Sequence, residues 1–462
     1  MANREFPIEP TPVKLVDTKH RRITGPFLPV KESIPVLKML RENEPLSMSG
    51  QPAVVWDHAE GFYVYDAYGN KWLDWSSGVL VTNAGHGRKE IRDAIIEITQ
   101  KGLLHNYCFP SEQRAKLAKK LVDLTPPSMT RAFILTTGSE ATECAIKLAK
   151  TWGFSHGGKE KNVIISYDEA FHGRTMGAQL AGGIPALKSW IGELDNSFVQ
   201  FPHPGSNIVF DKSFESFEKK LSGMGISPNN VAGVISETYQ GANCGFFPND
   251  YAKKMRAWCD KYNIVLIMDE VQSGFGRTGK MWGFEHNEIV PDIICLGKGI
   301  SSSLPVSAVV GKEEIMNQYG PGSMTSTHSG HPLGCAASLA SIELIEKENL
   351  VENSKIMGEY LHEALLKIKK KYDNIFDLQG KGLVHALMPL KNRTDFEPDS
   401  DLAFGIVKKC FEAGLLMFAP VGRNGGCVKI APPLCITKDA LDEGIEVFSK
   451  AVDDTVGELG RK

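Results

Sequence analysis

An excess of charge of one sign is missing from this sequence: 52 Lys and Arg stand against 55 Asp and Glu, a formal charge of −3 over 462 residues. No global positive field exists to gather nucleic acid or anionic lipid, so any anion the protein binds has to be held locally. Long hydrophobic runs are missing too. Nothing reaches the ~18 apolar residues of a membrane span, and MANREFPIEP has charges and prolines where a secretion signal needs an unbroken apolar stretch. A cytoplasmic protein is expected. The nine cysteines include no CxxC pair, which argues against a zinc-ribbon or redox framework and predicts reduced, buried thiols. The one tight histidine pair, His328 and His331, lies in a Ser/Gly-rich loop. Two ligands fall short of a zinc site, and no metal is expected. Internal repeats and low-complexity segments are also absent.

What is present is an ordinary globular composition, 42% hydrophobic and 23% charged, on a chain too long for one small domain. The first 50 residues are rich in Pro, Lys and Glu and read as an extended arm. GFYVYDAYGNKWLDW then alternates about a turn at Ala67 to Asn70, which predicts a hairpin. Short β-branched runs follow at 133–137, 162–167, 232–237, 264–270, 292–297 and 306–311, separated by amphipathic stretches. That rhythm predicts an α/β unit with a mostly parallel sheet covered by helices. Beyond residue 333 the pattern turns helical. The expected division is an arm and part of a small domain over 1–80, a large domain over 81–333, and a small α+β domain over 334–462.

Three constellations carry chemistry. TTGSEATECAIKLAK puts Gly138 and Ser139 after an apolar run and at the start of a helical pattern. Free N–H groups at a helix start favour a phosphate, although a plain helix cap has the same appearance. Asp269 and Lys298 each follow a buried strand pattern, and an unpaired charge there costs several kcal/mol. Parallel strands deliver both to one edge of the sheet, where ligands bind in open α/β folds. A lysine for a Schiff base, a carboxylate for a pyridine nitrogen and a phosphate cradle together suit pyridoxal 5'-phosphate. A structural ion pair is the alternative. Gly274 to Lys280, GFGRTGK, satisfies GxGxxG and part of a Walker pattern, the basis for a remote nucleotide-binding alternative. Met281 stands where Ser or Thr is needed, however, and no helix pattern follows.

In TTGSEATECAIKLA, EAFHGRT, ISETYQG, IMDEVQSGFGRTGKMWGFE, DIICLGKGISSSLPVSAVVG, THSGHPLGCAA and VKIAPPLCIT, the sequence resembles the class III, pyridoxal phosphate-dependent (ω-amino acid) aminotransferases of fold type I. The resemblance implies a homodimer or a dimer of dimers, with active sites shared between subunits. It makes Lys298 the Schiff-base lysine and Asp269 the partner of the ring nitrogen. Gln272 is implied near the phenolic oxygen, Phe171 on the ring face with His172 beside it, and Thr327 on the phosphate of the other subunit. Arg174 is implied at the distal acid group of an ω-amino acid such as β-alanine, 4-aminobutyrate or taurine, with Val79 also at the substrate. Glu237 lies among the cofactor residues and resembles the glutamate that pairs with a second, carboxylate-binding arginine. At that arginine's position stands Lys429, a point charge without the guanidinium fork, which leaves Arg423 as a further candidate for the acceptor 2-oxoacid. Lysine there also resembles the family's lyase branch, so an ammonia- or phospho-lyase on a small aminated phosphate or phosphonate stays open beside transamination. Thr238 and His331 depart from the family's frequent proline and asparagine.

Overall fold

A computed structural model describes residues 5–209 and 211–461. The chain divides into two units: Lys89–Val351, and the segments up to Arg88 and from Glu352 onward.

The central unit is built on a seven-stranded sheet. Its strands are β1 (Arg131–Leu135), β2 (Val163–Tyr167), β3 (Phe198–Phe201), β4 (Val231–Glu237), β5 (Val265–Asp269), β6 (Ile293–Leu296) and β7 (Ser307–Gly311). They are ordered β3-β2-β4-β5-β6-β7-β1. Neighbours from β3 to β6 are parallel, and β7 alone runs against β6 and β1. Every residue of β2, β4, β5, β6 and β7 is buried, as expected of strands covered on both faces. Six of the strands coincide with the apolar runs of the sequence. The seventh, β3, is a four-residue edge strand in which buried and half-buried residues alternate, too short for the pattern to stand out.

Helix α1 (Gly138–Gly157) packs on this sheet. Its Ala141, Cys144, Ala145, Leu148 and Ala149 share a core with Ile164, Ile235, Val265 and Ile267. Helix α2 (Pro332–Lys347) also belongs to this unit, packed on Lys89–Gln100 and Glu112–Asp123 through a buried small-residue face that includes Cys335, Ala337 and Ser338. That differs from the boundary expected at residue 333: a helical run after a strand region here covers the same core.

In the other unit, Tyr63–Tyr65 and Lys71–Asp74 form the expected hairpin, Tyr63 opposite Leu73. Leu415–Leu416 adds to it in parallel, and Trp72 Nε1 donates to the Phe411 carbonyl at 3.1 Å. Both chain ends therefore share one core. Among the described residues no helix is long and apolar enough to cross a membrane.

Candidate active site

Parallel strands bring their carboxyl ends to one edge. Strand β4 ends in Glu237 and β5 in Asp269, and the two residues are in register. The turn after β6 carries Lys298, the connection after β2 carries Phe171 and His172, and the loop from β1 leads into α1 at Gly138. Around them is a cavity of about 160 Å³ whose walls include Gly138, Ser139, Phe171, His172, Glu237, Asp269, Gln272 and Lys298. Eight residues far apart in the chain thus meet in one place.

The centre of the site is a buried charge pair. His172 Nδ1 lies 2.8 Å from Asp269 Oδ2, and both side chains are almost fully excluded from solvent. Burial by itself lowers the histidine's pKa, yet the hydrogen bond to Asp269, that residue's charge and the charge of Glu237 more than offset it, and the net direction is upward. The imidazole is thus paired with Asp269 and feels the charge of Glu237. Its Nε2 is buried without a hydrogen-bond partner. Asp269 Oδ1 accepts the Val271 N–H at 3.0 Å. Glu237 accepts the N–H of Phe171 at 3.2 Å and of Gly241 at 3.0 Å, so its carboxylate fixes the backbone under the aromatic ring.

Lys298 follows Gly297 with a φ of 43°, in the left-handed region. A side chain there is strained by about 1–3 kcal/mol and persists only where the surroundings enforce it. Opposite, Thr137 caps α1 by accepting the Glu140 N–H, and Glu140 in turn accepts from Thr136 and Thr137. The first N–H groups of the helix, at Gly138 and Ser139, have no partner within it. Two close approaches depend on glycine: a Cβ on Gly138 would stand 2.9 Å from Val271 Cγ1, and one on Gly173, at φ +130°, would collide with Ser139 Oγ.

The other expected residues lie as follows. Arg174 is exposed, its guanidinium 5.4 Å from the Phe171 ring centroid and its N–H donating to Ser139 Oγ at 3.3 Å. Thr327 is exposed in the loop before α2. Val79, Lys429 and Arg423 belong to the other unit: Val79 is 43% exposed with a φ of 64°, Arg423 is exposed in a turn, and Lys429 is buried on Val428–Ile430 opposite Ala386. Gly173, Tyr239 and Val271 also line the cavity but went unnoticed in the sequence. Val271 packs against both Gly138 and Gly297, and its place inside DEVQ was the signal available. Gly274 to Lys280 forms a chain of turns that no helix follows directly, the wrong context for a dinucleotide loop.

The donor set fits pyridoxal phosphate. An anion seat opens a helix, a carboxyl group backed by a histidine can face a ring nitrogen, an aromatic face lines one wall, and a lysine amine enters from a strained turn. Comparison with known proteins agrees. Residues 47–452 match the class III aminotransferase family. The chain is 33% identical to an acetylornithine aminotransferase of Clostridium acetobutylicum, over 87% of this chain and 97% of that one. It is 30% identical to a 4-aminobutyrate aminotransferase of Mycobacterium leprae, over 92% and 97%. An amine transaminase from an uncultivated Pseudomonas species, solved in its pyridoxal phosphate-bound form, superposes with a TM-score of 0.79 at 27% identity, covering 88% of this chain and 95% of that one. The chain belongs to the class III aminotransferases, enzymes of fold type I whose cofactor is pyridoxal 5'-phosphate.

Proposed function

We propose that this aminotransferase takes the terminal amino group of a small ω-amino acid, of the class of β-alanine, 4-aminobutyrate or taurine, and passes it to a 2-oxoacid, working as a homodimer. The observation that carries the donor class is Arg174. Its exposed guanidinium lies beside Phe171 while its backbone is tied to Ser139, so a cation able to bind an acid group in two-pronged fashion is set next to the phosphate seat. Similarity to an enzyme named for 4-aminobutyrate supports the same class.

When bound, the cofactor supplies an electron sink for the substrate carbon that carries the amine. The N–H groups of Gly138 and Ser139 would hold its phosphate, and Thr327 of a second subunit would complete that seat. Asp269 would face the ring nitrogen, and His172 Nδ1, 2.8 Å from Asp269 Oδ2, orients that carboxyl group. Phe171 and Val271 confine the ring, and Gln272 lies by its phenolic oxygen. Lys298 would be the residue that anchors the cofactor, and its Nζ would be the group placed to take and return a proton at the amine-bearing carbon. Arg174 sets the distance between the donor's acid group and that carbon.

The test is turnover of purified enzyme on a panel of ω-amines with and without 2-oxoacids. Aldehyde formation that requires an acceptor supports the reading. Release of ammonia or phosphate without an acceptor replaces it with elimination, and preference for α-amino acids removes the donor class. Light scattering on the same sample tests the dimer.

A further inference from the structure

Behind the pocket wall lies a carboxylate that the chemistry above does not use. Glu270 is completely buried and makes four hydrogen bonds. Its Oε1 accepts from the Thr238 hydroxyl and from the Phe284 N–H at 2.9 Å. Its Oε2 accepts from the Ser273 hydroxyl and the Gly283 N–H, each at 2.8 Å. All four donors are neutral. Burial pushes this carboxyl upward in pKa, and the four hydrogen bonds oppose the shift. A buried anion held this way is a poor source of stability, since an apolar residue of the same shape costs less. Its use has to lie in what it holds in place.

The four donors come from three segments. Thr238 immediately follows Glu237 at the end of β4, Ser273 is in the loop after β5, and Gly283 and Phe284 open the turn that closes the glycine-rich run. Along the loop the faces separate. Asp269, Val271 and Gln272 line the cavity, whereas Glu270 and Ser273 are bound on the reverse side. Glu270's own backbone is pinned as well: its N–H donates to the Cys295 carbonyl and its carbonyl accepts from Gly274, both at 2.9 Å. Packing about the clamp leaves no slack. A Cβ on Gly283 would stand 2.6 Å from Thr238 Cγ2 and 3.0 Å from Ser273 Cβ.

We infer that Glu270 and Thr238 are positioning residues for the reaction: the Thr238–Glu270 contact ties the end of β4 to the end of β5 one residue beyond Glu237 and Asp269, and so fixes where Asp269 and Gln272 meet the cofactor. Thr238 is the informative half. It is the residue in this chain where the family's resemblance leads one to expect proline, which has no hydroxyl to donate. The clamp depends on that hydroxyl, and the inference rests on the reading of Asp269 as the ring-nitrogen partner.

Side-chain chemistry dictates the variants. Gln at 270 keeps the shape but replaces one oxygen by an NH2 group, which faces two donors; a hydroxyl can turn to accept, but the backbone N–H of Gly283 or Phe284 cannot. Thr238→Val removes one donor without changing shape, and Thr238→Ser restores it. Each protein is prepared free of cofactor and titrated with pyridoxal phosphate, following fluorescence quenching and the visible spectrum from pH 6 to 9, beside a thermal melt and steady-state kinetics. For Thr238→Val the expected result is a cofactor dissociation constant raised about tenfold, the order of one hydrogen bond's effect, and a displaced pH profile of the visible band. A fall in kcat with donor KM unchanged, and recovery of all three in Thr238→Ser, complete the pattern. If Thr238→Val only lowers the melting temperature, leaving cofactor affinity, spectrum and kcat as in wild type, the clamp is structural and the inference is overturned. Should Glu270→Gln fail to fold, the Val and Ser pair at 238 decides. Cofactor titration is independent of the amine used, so an error in donor class and an error here are told apart.

Discussion

Glu237 and Asp269 stand side by side in register at the ends of adjacent parallel strands, with the buried imidazole of His172 2.8 Å from the second of them. Two neighbouring carboxylates in a low-dielectric site repel, and one would ordinarily take up a proton. Here the imidazole of His172 pairs with Asp269, and the N–H groups of Phe171, Gly241 and Val271 donate to the two side chains, which offsets that repulsion. Asp269 is thereby held from both of its oxygens, in the orientation the proposed partner of a ring nitrogen needs.

Replacing His172 by Gln is therefore expected to leave the fold and the cofactor in place and to lower kcat about tenfold or more, the scale of a lost charge-assisted hydrogen bond. Asp269→Asn should be more severe, because the ring proton itself loses its counter-charge. Single-turnover rates on both variants check this. Wild-type rates for Asp269→Asn would remove that residue from the chemistry.

For Lys298→Ala the expectation is a protein that no longer shows a borohydride-sensitive visible band and whose activity falls by orders of magnitude, since binding and proton transfer are lost together. Relief of the left-handed backbone at position 298 has its own signature. Because a non-glycine residue at φ 43° is strained, Lys298→Gly should melt no lower than Lys298→Ala and be just as inactive. A Gly variant distinctly less stable than the Ala variant would refute the strain.

The strands around this pocket were legible because buried parallel strands leave uninterrupted apolar runs, and the charge that follows two of those runs, at Asp269 and Lys298, marks the sheet edge. Asp269 and Lys298 are plain on that basis. Edge strand β3 was not, being four residues long, nor was the true membership of α2, whose small-residue face reads the same against either unit. His172 could be noticed only beside the motif FHGRT. Its pairing with Asp269 spans 97 residues, and no periodicity encodes that. The clamp of Glu270 was hidden for the opposite reason: a glutamate next to an aspartate in a loop reads as surface charge.

Stability in mild acid follows from two other histidines. His203 and His385 are fully buried, and burial pushes each down to about 3 from an ordinary value of 6.5, with Lys212 and His362 adding respectively. The unfolded chain takes up protons near pH 6.5 and the folded one does not, so stability is complete above that pH and declines as pH falls toward about 3. At a pH near 5 the loss is on the order of 2 kcal/mol per histidine. His172 has the opposite sign: its raised value contributes below pH 6.5 and is lost as pH rises through the folded value. Chemical denaturation at pH 7, 6 and 5 should show the decline, and His385→Leu should remove about half of it. A flat profile would mean that these rings find protons, or water, while still folded.

On the proposed function, specificity is set by cations. Arg174→Ala is expected to weaken donor use by roughly 2–4 kcal/mol in transition-state terms, the range for a broken charged contact, seen mainly in KM for ω-amino acids and hardly at all for a donor that lacks the distal acid. For the acceptor side we propose Lys429, which is buried at 2% exposure on its strand, at the position where the resemblance implies an arginine. An ammonium offers a point charge rather than the fork that grips a carboxylate by both oxygens. Wild-type enzyme should therefore use pyruvate better than 2-oxoglutarate, whose second carboxylate is the one left without its fork, and Lys429→Arg should raise kcat/KM for 2-oxoglutarate selectively. If wild type already turns over 2-oxoglutarate efficiently and Lys429→Ala leaves that unchanged, the carboxylate is held by another cation. The exposed Arg423 is then the residue to replace, and loss of 2-oxoglutarate use in Arg423→Ala alone would transfer the role to it.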